Sequence, residues 1–389
     1  MFLYAGVANN LPVQPMNSAL APHPGPRVKY AREKLGLTQD DIKDALGFKD
    51  RQIVSSIETG KRALKSDELL KLSDLLDQDL EFFLDPFSVV AEARYSWRAS
   101  PALDGAELDR FENAANGWVG LLRWLRAQDP KKAAPLSVTL NVERSSTYEE
   151  VQQRAEELVA KHGLGPIPAE KLIAFIEGEL DIPVMFVETG EHLSPGQISG
   201  AACQLSNLGV VLINRRESPA RRYFDLAHEL FHLLTWHKPR MAPEHRESNS
   251  VEDRQDEKRV EELANNFAAA LLMPTESLDA LVDPANAEDV PHLFDVATRL
   301  CVTPEAFAWR LFNLKRISAH TRVALAAQRR SGAHYGQPPL FSEWFVRALH
   351  AAADKGRLSP RKAAKTLNLE LNELVSLCAV YGLSNPFRS

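Results

Sequence analysis

Apolar positions recur at helical spacing from residue 27 to about 85, in short segments broken near Gly36, Gly47 and Gly60, each close to a helix end. A longer amphipathic helix is predicted over 104–128, where Leu108, Phe111, Ala115, Trp118, Leu122 and Leu125 form one stripe. Two more helices follow over 148–162 and 169–179. The pattern then shifts to short apolar runs: IPVMFV (182–187), ISGAACQL (198–205) and GVVLIN (209–214) read as strands. SNLG (206–209) turns the last two into a hairpin. Helical spacing returns at 219–236, 257–273, 290–300 and 304–313, and again over 341–381. Residues 1–26 carry five prolines and no periodicity and read as disordered, with Met16 as an alternative start. AQDPKKAAP (127–135) and RRSGAHYGQPP (329–339) read as linkers. The chain is therefore expected to be multidomain and mainly α, with an α+β middle. Its parts are a disordered 1–26, a helical bundle over 27–88, a connecting helix and linker over 89–135, an α+β domain over 136–328, and a linker with a helical domain over 329–389.

A length of 389 residues suits two or three domains, each able to bury its own core. The net charge of −6 excludes a uniformly basic coat but leaves room for a local basic patch. Cys203, Cys301 and Cys378 are an odd, scattered set with no CxxC. They fit a reducing cytoplasm and exclude a disulfide framework or a zinc ribbon. No apolar run approaches the ~18–20 residues that cross a bilayer, so no membrane partner is expected. The N-terminus lacks the charge and apolar core of a signal peptide.

The stretch LTQDDIKDALGFKDRQIVSSIETGKRAL (37–64) has the grammar of a helix-turn-helix. Thr38 is a good N-cap, with Asp41 three residues on as an imperfect capping box. Ile42, Ala45 and Leu46 face inward, Gly47 ends the helix, and a second helix from Arg51 to Thr59 turns Ile53 and Ile57 inward. Arg51, Gln52, Ser55 and Ser56 remain on the outer face, where a recognition helix reaches base edges. Between Arg27 and Lys65 ten basic residues face six acidic ones, a local +4 in a chain of −6. That reversal suits a phosphate-facing surface. TQDDIKDALG followed by IVSSIETGKR resembles the Cro/C1-type (XRE) DNA-binding domain. The resemblance implies DNA contacts from Thr38, Gln39, Arg51, Gln52, Ser55, Ser56, Lys61 and Arg62. The stretch between Gly47 and Glu58 is one residue longer than usual for that family, which leaves open whether Arg51 or Gln52 reads a base.

The sharpest chemical signal is AHELFH (227–232). His228 and His232 are i and i+4, so on one helix their imidazoles can grip a single metal ion. Glu229 is placed to take a proton from a zinc-activated water during attack on a peptide carbonyl. His237 does not fit the metzincin spacing, in which Lys238 would have to be the third histidine. The better third ligand is Glu261, in VEELANNFAAALLMP (260–274), with Glu262, about 100° round the helix, as the alternative. Asn265, one turn on from Glu261, could orient a ligand histidine. GVVLIN is read as an edge strand whose Val210, Val211 and Leu212 backbone groups hold an extended substrate.

RRYFDLAHELFH (221–232) paired with EELANNFAAALLMP (261–274) resembles the ImmA/IrrE metallopeptidases over roughly 150–315. This implies a gluzincin-like HExxH fold with a small sheet, His228, His232 and Glu261 as ligands of Zn2+ (Mn2+ the alternative), and Glu229 as general base. It also implies a protein substrate, a repressor, antitoxin or similar regulator cleaved in a stress or phage-type response. The alternative is a transcriptional repressor whose peptidase-like domain is a non-catalytic sensor. The tail, DKGRLSPRKAAKTLNLELNELVSLCAVYGL (354–383), is open to three readings: a second helix-turn-helix, homodimerisation or substrate docking.

Overall fold

A computed structural model describes residues 24–90, 92–100, 102–129, 138–189, 197–206, 208–238, 241, 251–329 and 336–385. Contacts divide the chain into two compact units, 1–91 and 92–389. No helix among the described residues is long and apolar enough to cross a membrane.

The first unit is five short helices: α1 (Pro24–Lys34), α2 (Gln39–Leu46), α3 (Arg51–Glu58), α4 (Ser66–Leu75) and α5 (Leu80–Leu84). Val28, Ile42, Leu46, Val54, Leu72, Leu76 and Phe83 form its core. In α3 the buried apolar positions are Val54 and Ile57, with Ile53 only partly covered. The expected disorder of 1–26 is corrected at its end: 24–26 open α1, while 1–23 lie outside the described residues. Gly25 is needed there, because a Cβ would come within 2.1 Å of the Ile57 carbonyl oxygen. Arg27 is buried, and its guanidinium donates to the carbonyls of Phe82, Phe83 and Ser88, fastening α1 to the end of α5. Thr38 and Asp41 close a complete, reciprocal capping box on α2.

The second unit opens with strand β1 (Arg94–Ala99) and helices α6 (Gly105–Ala127), α7 (Tyr148–Lys161) and α8 (Ala169–Gly178). Strands β2 (Val184–Val187), β3 (Ile198–Leu205) and β4 (Leu208–Asn214) follow. The helices then run α9 (Pro219–Thr235), α10 (Val251–Leu272), α11 (Thr275–Leu281), α12 (Val290–Arg299), α13 (Pro304–Asn313), α14 (Ala319–Ala326), α15 (Glu343–Asp354), α16 (Pro360–Leu367) and α17 (Leu371–Val380). The sheet order is β1-β3-β4-β2, with β1, β3 and β4 antiparallel and β2 parallel to β4.

Two expectations change here. Residues 94–99, read as part of a connecting segment, form a strand paired with β3. Tyr95 and Trp97 stack on each other and reach Asn116 and Glu112 of α6, so the apolar half of the strand packs on a helix immediately following it in sequence. And β4 is no edge. It is hydrogen-bonded on both sides and buried along its whole length, so Val210, Val211 and Leu212 have no backbone groups free for a substrate. A run as continuously apolar as GVVLIN belongs in a sheet interior.

One core joins α7, α8, the sheet and α9–α14. Buried Arg310 is among its fasteners, donating to Met273 O, Gln152 and Glu156. The tail packs on α6: Trp118 donates to the Leu367 carbonyl, and at Gly117 a Cβ would stand 2.8 Å from Thr366 O. The N–H of Phe341 donates to Phe186 O on the outer side of β2.

Candidate metal centre

Ser218 caps α9 through the Arg221 N–H, Pro219 supplies the first helical residue, and the helix ends at Trp236. Every residue from Asp225 to Thr235 is buried, so the HExxH motif sits in the core. Phe231 meets Phe267 of α10 at 5.4 Å between ring centroids, which sets the two helices side by side.

That packing brings together three side chains far apart in sequence. His228 Nε2 and His232 Nε2 are 3.1 Å apart, and the two Glu261 oxygens lie 3.1 and 3.2 Å from them. One ligand atom from each falls within 4.8 Å of the others. Both imidazoles are buried, while the Glu261 side chain is 48% exposed, so the cluster opens to solvent on the carboxylate side. Glu262 points elsewhere and accepts a hydrogen bond from Tyr148 at 2.6 Å. His237 is exposed and outside the cluster.

The donor chemistry fits a cation. The carbonyl oxygen of Asn265 lies 3.1 Å from His228 Nδ1, and an oxygen can only accept, so Nδ1 carries the proton. Burial lowers the His228 pKa to about 4, so the ring is neutral and its Nε2 lone pair faces His232 and the Glu261 carboxylate. Converging lone pairs in a buried site call for a positive charge among them. Burial works against ionisation of Glu261, but its place beside the two imidazoles holds its pKa well below the usual carboxylate range. Asn265, read from the sequence as an orienting residue, is the residue whose side chain meets His228 Nδ1. Replacing it with Ala should weaken metal binding ~10–100-fold. His237→Ala should leave metal binding unchanged, as metal analysis of the two purified variants would show.

Glu229 is fully buried beside the histidines, and its carboxylate oxygens lack a full hydrogen bond, the Ala202 N–H lending only partial support. Burial raises its pKa well above the ordinary value. A buried, poorly satisfied carboxyl is costly to keep, and is suited to taking up a proton. Asp225, one turn before His228, is also fully buried and pairs with Arg98 at 2.8 Å and Arg221 at 3.1 Å. Sequence reading missed both Asp225 and Arg98. A charged residue in the apolar run ahead of HExxH was the available signal for the first.

In the first unit, Arg51, Gln52 and Lys61 are exposed, and Ser55 and Ser56 are partly so. Other residues expected on DNA have structural work as well. Thr38 caps α2, Gln39 donates to Glu58, and Ser56 donates to its own helix at Gln52 O. Arg62 makes a two-pronged bridge to Glu68 at 2.7 and 2.8 Å and lies over Phe48. Lys61→Ala should therefore weaken DNA binding on all sequences alike and reduce its salt slope by about one. Arg62→Ala should chiefly lower the melting temperature. Arg51 or Gln52 substitutions should relax sequence preference by ~1–3 kcal/mol per lost base contact, measured by titration against operator variants.

Residues 28–83 match the helix-turn-helix family, and residues 179–312 match the IrrE N-terminal-like domain. The radiation response metalloprotease IrrE of Deinococcus deserti is 34% identical over 130 residues, covering 33% of this chain and 42% of that protein. The match thus spans less than half the length of that relative. The chain joins a helix-turn-helix region to an IrrE-like region, and His228, Glu229, His232 and Glu261 all fall within the second.

Proposed function

We propose that this chain is a zinc-dependent endopeptidase that cleaves a regulatory protein, held near its target genes by its helix-turn-helix region. The observation that carries the reading is the meeting of His228, His232 and Glu261 around one point, with buried Glu229 beside them. His228, His232 and Glu261 would hold the zinc, Asn265 fixing the His228 ring. A bound zinc supplies Lewis-acid activation of water and of the scissile carbonyl. Glu229 takes the proton from the attacking water and returns it to the leaving amine, a transfer its raised pKa favours. The apolar wall of α9 keeps bulk water from competing for that proton.

The substrate class, a repressor, antitoxin or similar regulator in a stress response, is supported by the helix-turn-helix region and by the likeness to a radiation response metalloprotease. Capture with the Glu229→Gln chain tests it. The expected catch is a transcriptional regulator, released whole from the variant and cut by the unaltered chain. A regulator bound equally by both and cut by neither favours a repressor with a sensing, non-catalytic domain.

A further inference from the structure

The strand nearest the Glu229 carboxylate is β3. A Cβ on Gly200 would stand 3.8 Å from Glu229 Cγ, and Ala202 lies beside that carboxylate. A peptide drawn past Glu229 would therefore lie along β3 on the side away from β4. That side already carries β1, antiparallel, with Arg94 opposite Gln204, Ser96 opposite Ala202 and Arg98 opposite Gly200.

β1 is unlike the strands it joins. None of its residues is buried, whereas all of β4 is. It also lies outside 179–312, the segment that matches the IrrE N-terminal-like domain. Its side chains divide by strand alternation. Tyr95 and Trp97 turn to α6, while Arg98 turns to α9, its Nε 2.8 Å from Asp225 and its guanidinium 5.3 Å from the Phe224 ring centre. Asp225 is completely buried, and Arg221, which also pairs with it, is 40% exposed. A buried carboxylate facing a strand edge selects a cation there, because an uncompensated charge in that position is strongly unfavourable.

From this juxtaposition we infer that the outer side of β3 is the track for the peptide substrate, that Asp225 selects a basic side chain in it, and that β1 fills the track in cis with Arg98 in the recognised position. Strand addition supplies backbone hydrogen bonds to any extended chain, and the Asp225 carboxylate adds the selection. The purpose of the track rests on the peptidase reading; the binding of a peptide there does not.

The test uses the full-length, zinc-loaded chain and a labelled peptide of residues 92–100, EARYSWRAS. A Trp97→Ala, Arg98→Ala chain, which frees β1 from α6 and Asp225, should bind it at least ~10-fold more tightly than the unaltered chain does. The same peptide with Arg98→Ala should bind ~10-fold more weakly, and Asp225→Asn in the protein should remove that difference. Equal binding to both chains, or peptides bound alike with and without the arginine, would overturn the inference. Hydrogen exchange on the unaltered chain requires no variant to fold: excess peptide should speed exchange over 94–99 and leave β4 unchanged, and unchanged exchange at 94–99 counts against it. Peptide bound but uncut, with zinc in place, would refute the peptidase reading and leave the track standing. Cleavage elsewhere without binding of this peptide would do the reverse.

Discussion

Purified chains carrying His228→Ala or His232→Ala should contain no stoichiometric zinc, where the unaltered chain should hold one ion. Each imidazole is buried, and each supplies one of only three side-chain ligand atoms in the cluster. Losing an orienting neighbour of a ligand costs ~10–100-fold in affinity, and losing the ligand itself should cost more. Glu261→Ala should weaken zinc by ~10-fold or more, its carboxylate being the exposed member. Stability gives a second reading of the same loss. Zinc at a hundredfold excess over its Kd stabilises the folded chain by about 2.7 kcal/mol, so a chelator should lower the melting temperature of the unaltered protein and leave the histidine variants unmoved. Zinc retained in both variants would show that the ion is held elsewhere.

The second large effect is expected from Glu229→Gln. The amide keeps the size of the side chain and cannot take up the proton, so cleavage should fall by ~10²–10⁴-fold with zinc content unchanged. The fold should not suffer. The carboxylate is buried without a full hydrogen bond, and replacing it with a neutral group removes a desolvation penalty. The variant should melt at or above the unaltered chain, the usual sign of a residue kept for chemistry against stability. Equal loss of zinc and of cleavage would instead make Glu229 a structural part of the metal centre.

What the sequence disclosed and what it hid follow from local and non-local order. The HExxH geometry was legible because i and i+4 positions on one helix must share a face. Glu261 and Asn265 were legible because one-turn spacing, where the charged half of this helix meets its apolar half, sets a polar pair on one face, and Asn265 does reach His228. The capping box at Thr38 and Asp41 is equally local. The sheet was read less well. GVVLIN shows that it is a strand, but whether it lies at an edge depends on which other segments pair with it. Here β2 (VMFV) covers the other side of β4, and the strand the pattern did not show, RYSWRA, pairs with β3; its face toward α9 carries Arg94, Ser96 and Arg98 rather than apolar residues. Its Tyr95 and Trp97 pack on α6 instead, so half of its pattern looked like surface. The role of Arg62 was hidden for a similar reason: a basic residue six positions before Glu68 reads as a phosphate contact until the bridge between them is seen.

The most direct test of peptidase action is a proteome-wide comparison of new protein N-termini in cells expressing the unaltered chain and cells expressing Glu229→Gln, both confirmed to hold zinc. A cut in a DNA-binding regulator that appears only with the unaltered chain is the expected result. Identical N-termini in the two, under conditions where the regulator is bound, would contradict it and leave a zinc-holding sensor in place of an enzyme.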